Sequence, residues 1–369
     1  MKLQKSLLAL AVLGTVSGAA LAQTNITIYG IADAGLDYDT ARYPGGSLLA
    51  VRSGQQSSSR FGIKGSEDLG GGMSTNFMLE NGFQLNDGSF KYGVNATTPR
   101  LFGRAAWISL DGGFGSVKLG RQYTSMFNAL GAIDPFGIST AGNAQYLFGY
   151  GLDALDPIAR SDNTVSYTTP TVAGLSGLAG YKLGSATTGS VNTSSKYLGL
   201  TYANGPLLAM ASYQNVHGVN FSGYGAASPL GAIVAETSLG AVANTVTGAT
   251  VDTDVVGGTY DFSVAKLALA YGTTKASAIG TMKTNNYLVG FTAPFGRNSI
   301  LGSWNRNNVA NISGGTTNMY SLGYKYALSK RTDLYVYSAY TRNGSGVRLN
   351  ALVNGQSDLE TSIGIQHRF

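Results

Sequence analysis

The feature that most constrains this chain is a cycle that runs from about residue 25 to residue 369. A short segment with alternating apolar and polar side chains is succeeded by a tight turn, a second such segment, and then a longer connection. Period-two alternation places alternate side chains on opposite faces of an extended strand. In NITIYGIADAGLDYD, Ile26, Ile28, Ala32, Ala34, Leu36 and Tyr38 share one parity, while Thr27, Asp33 and Asp37 take the other. Phe77, Leu79, Phe83 and Leu85 oppose Asn76 and Glu80 in the same way. In SDLETSIGIQHRF, Leu359, Thr361, Ile363, Ile365 and Phe369 oppose Glu360, Ser362, Gly364, Gln366 and Arg368, with His367 interrupting the apolar side.

Short connections fall at 111–115, 204–206, 294–298 and 328–333, and long ones near 86–97, 123–160, 215–251, 307–315 and 342–356. The count comes to about sixteen strands, an even number with short and long connections in alternation, as outer-membrane barrels require. Tyrosines such as Tyr29, Tyr123, Tyr167, Tyr260 and Tyr340 stand near strand ends, where aromatic girdles meet the membrane interfaces. High strand propensity alone explains a part of that pattern. In LFGRAAWISL the large residues Phe102, Trp107, Ile108 and Leu110 fall on both parities, which fits either a bulge or a wall against another protomer.

The N-terminal residues read as a leader rather than as fold. Lys2 and Lys5 precede an apolar run from Leu7, and Ala20-Leu21-Ala22 is a small-x-small cleavage site, so residues 1–22 are expected to be removed on export. The run is too short and glycine-broken to span a bilayer well. The remainder, 23–369, is expected to be one barrel domain without a transmembrane helix. Only 12% of residues are charged, and glycine (52) and tyrosine (22) outweigh proline (8), which excludes a charge-rich disordered chain. Cysteine is absent, so no disulfide or thiolate metal site exists, and no cofactor or metal is expected. The formal charge of +6, or +4 without Lys2 and Lys5, is not gathered into basic runs, which argues against nucleic acid.

One stretch departs from the cycle. Residues 123–160 show neither alternation nor a long amphipathic helical face, and a connection of that length inside a regular chain is usually functional.

Several segments resemble the general porins of Gram-negative bacteria, in the branch found in Neisseria and Burkholderia. They are ITIYGIADAGL, SSSRFGIKGSEDLGGG, LENGFQLNDG, RLFGRAAWISL, FGSVKLGRQY, TVSYTTP, YALSKRTDLYVY and the terminal GIQHRF. The resemblance covers essentially the whole mature chain and weakens over about 187–254, where the loop content is this chain's own. It implies an all-β, sixteen-stranded antiparallel transmembrane barrel in the outer membrane, usually a homotrimer. Its third loop, here about 124–160, would fold into the pore. It also implies no catalytic site, passage of small hydrophilic solutes, and contact with outer-membrane lipid.

The family sets a basic cluster on the wall against acids on that loop. By motif, Arg60, Arg100, Arg121 and Arg160 correspond to the cluster and Asp134 to an acid; Lys64 and Arg104 share parity with Arg60 and Arg100 and should face the lumen. Arg121 also shares parity with Val117 and Leu119, which opposes a lumen position unless a glycine bulge intervenes. The loop has only three acids, Asp134, Asp153 and Asp156, and Ile138 stands where a second acid would be expected. Arginine keeps its charge at all working pH values, so crowded guanidinium groups favour anions. Pairing with nearby acids, or snorkelling, is the plainer reading of each arginine.

The expected function is passive diffusion with weak anion preference. A substrate-specific channel is the nearest competitor, with Tyr146, Phe148 and Tyr150 either a sugar-stacking path or loop packing. A barrel enzyme would need a histidine beside a nucleophile, and only His217 and His367 exist. An adhesin passenger would show parallel rungs rather than hairpins. Phe369 resembles the signal read by the barrel-insertion machinery, and its removal is expected to impair insertion.

Overall fold

Alternation in the sequence becomes a wall with two unlike faces. In a computed structural model, which describes residues 25–91, 99–148, 159–184, 193–219, 249–277 and 281–369, seventeen strand segments form one antiparallel sheet that closes on itself. The leader, Tyr150, Asp153 and Asp156 lie outside the described residues. The chain begins with β1 (Asn25–Tyr43), β2 (Gly46–Ser53), β3 (Arg60–Gly70), β4 (Met73–Gly82), β5 (Ala105–Gly112) and β6 (Gly115–Tyr123). Two helices come next, α1 (Ser125–Ile133) and α2 (Gln145–Phe148), with a 3-10 turn at Thr140–Gly142 between them. Beyond them are β7 (Arg160–Thr168), β8 (Leu175–Lys182), β9 (Ser195–Asn204), β10 (Leu207–Val219), β11 (Ala249–Asp261) and β12 (Lys266–Ser277). The last are β13 (Thr281–Phe295), β14 (Asn298–Val309), β15 (Thr316–Ala327), β16 (Thr332–Asn343) and β17 (Asp358–Arg368).

Seventeen segments make sixteen staves. β1 pairs along the same edge with β2 through Ala34↔Ser53 to Tyr43↔Gly46 and with β3 through Asn25↔Ser66 to Ile31↔Arg60. β2 and β3 are therefore halves of one stave, broken by residues 54–59. That insert turns inward. The Asp33 carboxylate accepts hydrogen bonds from the successive backbone N–H groups of Gln55 (3.0 Å), Gln56 (3.0 Å) and Ser57 (2.8 Å), and also from Tyr335 and Gln366.

Closure comes from the other edge of β1, which pairs with β17 from Ile31↔Arg368 to Asp39↔Glu360. Gly30 and Phe369 then exchange both backbone hydrogen bonds, at 3.0 and 3.1 Å, and the Phe369 ring lies where a side chain at residue 30 would stand. The first and last strands are thereby paired and the ring closes, as a membrane barrel demands. Tight turns join the strands at one end, as at Gly70, Gly71 and Gly72, where positive φ values of 77°, 63° and 77° favour glycine.

The outer face carries the exposed apolar residues, including Leu267, Leu269 and Tyr271 on β12, while Ala268, Ala270 and Gly272 between them are buried. Exposed leucines in this number suit a wall solvated by lipid. No described helix is long and apolar enough to cross a membrane, which bears in no way on strands.

Candidate functional site

After the fifth stave the chain leaves the wall at Tyr123 and crosses the inside of the sheet. Thr124 caps α1, its hydroxyl accepting from the Phe127 N–H. Met126, Leu130 and Ile133, spaced four and three apart, are buried on one side of the helix. They join Phe136, Leu147 and Phe148 in a cluster with Val216, Val255, Leu288, Met319, Tyr335 and Tyr337 of the wall. Each such side chain is worth about 1.5–3 kcal/mol of burial relative to the aqueous alternative.

Polar bonds complete the attachment. Ser125 meets Ser212 at 2.8 Å, Thr274 donates to the Phe148 carbonyl at 3.1 Å, and Asn307 donates to the Leu147 carbonyl at 3.0 Å. The Phe136 ring meets Tyr337 edge-on at 5.5 Å. All these contacts are with the face turned away from the exposed leucines.

With β9 to β17 covered in this way, open space remains beside β3 to β8. A cavity of about 460 Å³ lies between the loop and that wall. Its lining holds four basic groups, Arg60, Arg104, Lys118 and Arg160, against one acid, Glu80, a formal excess of three positive charges. The strands explain the convergence. Arg60 on β3 stands beside Gly82 of β4, Glu80 faces Ala105 of β5, and Ser109, next to Trp107 along the inward face, faces Lys118 of β6. Arg104 immediately precedes β5, and Arg160 opens β7 opposite Tyr123.

Glu80 is the hub. It accepts from Arg104 Nε at 2.7 Å, Tyr29 OH at 2.8 Å and Tyr123 OH at 2.9 Å. Aromatic faces hold other cations: Arg160 lies 5.0 Å from the Tyr123 ring centre and 5.3 Å from Phe127, and Lys118 lies 4.2 Å from Trp107.

Two neighbouring cavities extend this one into a path. Toward the loop end, a space of about 280 Å³ shares Ser58, Ile138, Ser139 and Asn143 with it and is also lined by Arg42, Arg52, Lys91 and Glu360. There the arginines meet acids: Arg42 pairs with Asp39 at 3.1 Å and Glu360 at 2.9 Å, and Arg52 with Asp37 at 2.9 Å. Asp39, Asp358 and Glu360 form the one compact acidic group among the described residues, and the Arg42 guanidinium supplies its cation. Toward the turn end, a space of about 570 Å³ shares Met78, Trp107 and Lys118 and adds Lys64, 5.4 Å from the Tyr29 ring.

Four of the seven charged residues expected at the constriction therefore lie along this path: Arg60, Arg104 and Arg160 at its middle and Lys64 below. Arg100 and Arg121 are absent from the middle lining, and both are tied to Asp162, at 2.9 and 2.6 Å. A glycine bulge does intervene, with Gly120 at φ 123° and a register shift against β7 between Gly120 and Gln122. Arg121 nonetheless sends its Nε to the Gly103 carbonyl at 2.7 Å.

The expectation for Asp134 is corrected. It is buried at the end of α1, where its carboxylate accepts the backbone N–H groups of Phe136 (3.0 Å), Ile138 (3.1 Å) and Ala144 (3.0 Å), so it shapes the loop instead of presenting charge to the lumen. Burial pushes its carboxyl up to about 6 against the pull of those donors. Tyr146 and Phe148 divide: Phe148 is core, and Tyr146 lines the loop-end space. Glu80, Lys118, Arg42 and Arg52 line the path without having been expected there from sequence. For Glu80 and Lys118 a signal exists, since each stands on the parity opposite its strand's apolar residues.

Comparison with known proteins gives a consistent picture. The family model described as Gram-negative porin matches residues 9–346. An outer membrane porin of Bordetella pertussis is 32% identical over the full length of both chains, and outer membrane porin protein 32 of Delftia acidovorans is 31% identical, again over both in full. Among solved structures, an anion-selective porin from Comamonas acidovorans superposes with a TM-score of 0.75 at 27% identity, covering 94% of this chain and 100% of the other.

Proposed function

Since the chain belongs to the Gram-negative porin family and is an outer-membrane channel, we propose that it passes small hydrophilic solutes by passive diffusion with a preference for anions. The observation that carries the preference is the middle of the path, where four basic side chains face one acid already engaged by Arg104. Fixed charge at a narrow place between low-dielectric walls concentrates potential on a passing ion, so an excess of three positive charges raises anion occupancy and repels cations. The inward loop sets the width. Its apolar anchoring to β9–β17 leaves the path running along β3–β8.

The reading extends to assembly and export: a homotrimer, inserted by the barrel machinery through the terminal strand, after removal of residues 1–22. Planar-bilayer reversal potentials in a potassium chloride gradient test the preference, and a cation preference overturns it. Liposome swelling with neutral sugars of graded size tests the diffusion reading. Swelling confined to one sugar would favour a substrate-specific channel, for which Tyr146 at the loop-end space is the supporting contact among the described residues.

A further inference from the structure

The outward face of the wall is uneven in charge toward its loop end. β12 to β16 hold a single acid, Asp333, and it is buried. On the same strands Lys275, Lys283, Arg306 and Arg342 share the parity of the exposed apolar residues and lie in the loop-end halves of their strands. Lys275 faces Lys283 across β12 and β13, and Arg306 and Arg342 flank Asn318 in one row across β14, β15 and β16. None of these four cations makes an ion pair among the described residues. The neighbouring strand β11 differs, since its outward Asp252 and Asp254 already accept hydrogen bonds from Asn215 and Thr273.

Below the arginine row comes an aromatic one, Trp304, Tyr320 and Tyr340, one pleat repeat or roughly 7 Å along the strands. Trp304 donates its Nε1–H to the Asn318 carbonyl at 3.2 Å, which ties the two rows together and leaves the Asn318 amide N–H groups to donate elsewhere. A third row, Gly302, Leu322 and Ser338, has small residues at two of its three positions. The result is an outward groove of about 580 Å³, lined chiefly by apolar and aromatic side chains, with Val289 and Phe291 at its edge.

We propose that this face docks a membrane lipid with a phosphomonoester headgroup, its phosphate between Arg306 and Arg342 and one acyl chain in the groove beneath. The long loops of such barrels emerge on the external side, so the lipid is one of the outer leaflet. Charge complementarity selects the headgroup: guanidinium groups take phosphate through paired N–H donors, and basic pockets beside a membrane-facing wall bind anionic headgroups. A lone interfacial arginine snorkels toward whichever headgroup is near. Two arginines separated by two strand spacings, roughly 10 Å at the backbone, can close on one phosphate from both sides, with the Asn318 amide between them. The inference concerns the outside of the wall and is independent of the ion preference of the pore.

The experiment uses the full-length channel in phosphatidylcholine vesicles with Trp107→Phe, which leaves Trp304 as the one tryptophan. Its fluorescence is quenched by chain-brominated phosphatidic acid or chain-brominated phosphatidylcholine, mixed in at graded fractions. Phosphatidic acid should be preferred about twentyfold, from two arginines at about fivefold each. Arg306→Gln and Arg342→Gln should each cut that preference about fivefold, while Lys266→Gln, an equal loss of charge at the turn end of β12, should leave it unchanged. Ser338→Leu fills the groove from a lipid-facing position that accepts leucine, and should weaken quenching at saturation. Equal association of the two lipids, a preference unmoved by both arginine variants, an equal fall in Lys266→Gln, or quenching unmoved by Ser338→Leu overturns the assignment. So does loss of the preference in millimolar inorganic phosphate, which would mark the row as a site for the free ion.

Discussion

Lys118→Gln, set against Arg100→Gln, separates charge that acts on the path from charge spent within the wall. Both changes remove one positive charge. Lys118 lines both the middle and the turn-end cavities, lies on the Trp107 ring and makes no ion pair among the described residues. Arg100 is held to Asp162 at 2.9 Å and is absent from the lining of either cavity. For an ion passing roughly 6 Å from Lys118, one charge is worth about 0.7 kcal/mol at the dielectric of water and about 1.4 kcal/mol at half that value. An anion loses this stabilisation while a cation gains it, so the permeability ratio changes by about 1.4 kcal/mol at the lower figure, or about tenfold.

Arg100→Gln should change that ratio less than about twofold, since Arg100 lies outside the lining of either cavity and its charge reaches a passing ion only across a longer, screened distance. The assay is the reversal potential across a planar bilayer at about 0.1 M salt or below, where screening leaves the fixed charges legible. Loss of Lys118's charge is expected to cost little stability, because only a cation–π contact of about 1 kcal/mol is lost. If Lys118→Gln leaves the ratio unchanged, or Arg100→Gln moves it more, the assignment of these two residues is refuted.

The same geometry fixes other outcomes. Glu80→Gln should strengthen anion preference and also lower the temperature at which the barrel loses its compact gel mobility, because Arg104, 3% exposed, keeps its charge and loses the carboxylate opposite it. For Asp134, the folded loop holds its proton to higher pH than the unfolded chain does, so its contribution to stability is fully present below about pH 4 and is lost as pH rises through about 6, roughly 3 kcal/mol in all; limited proteolysis of the loop should be slower at the acid end. Gly30→Val should impair assembly much as deletion of Phe369 does, since both disturb the same seam, and a normal yield of folded barrel from either would contradict closure through these two residues.

The wall is legible in the sequence because strand alternation is a local signal, and sixteen staves emerge even though residues 54–59 split one of them. The loop is legible as an exception but not in its contents. α1 is nine residues long, and its face of Met126, Leu130 and Ile133 takes meaning only from the wall strands it packs against, β9 to β12, which come later in the chain. Asp134 is the right residue type for a lumen acid, yet three backbone donors claim it, and no sequence pattern distinguishes a shaped turn from an exposed charge. Arg100 and Arg121 depart from expectation for a related reason: their partner, Asp162, lies across the loop from them. Glu80 and Lys118 can be found by parity alone, since both stand inward on strands whose outward residues are plain from alternation.

The anchoring of the loop divides the barrel by compass bearing. On the side of β9 to β17 the interior is filled, the loop packing on the wall through buried apolar side chains interleaved with buried polar ones; on the side of β3 to β8 it is an open, charged path. Substitutions at Val255, Leu288 or Met319 belong to the first hemisphere and should register as melting temperature, whereas those at Arg60, Lys118 or Arg160 belong to the second and should register as current. A channel arranged in this way can be retuned on one bearing without being unbuilt on the other.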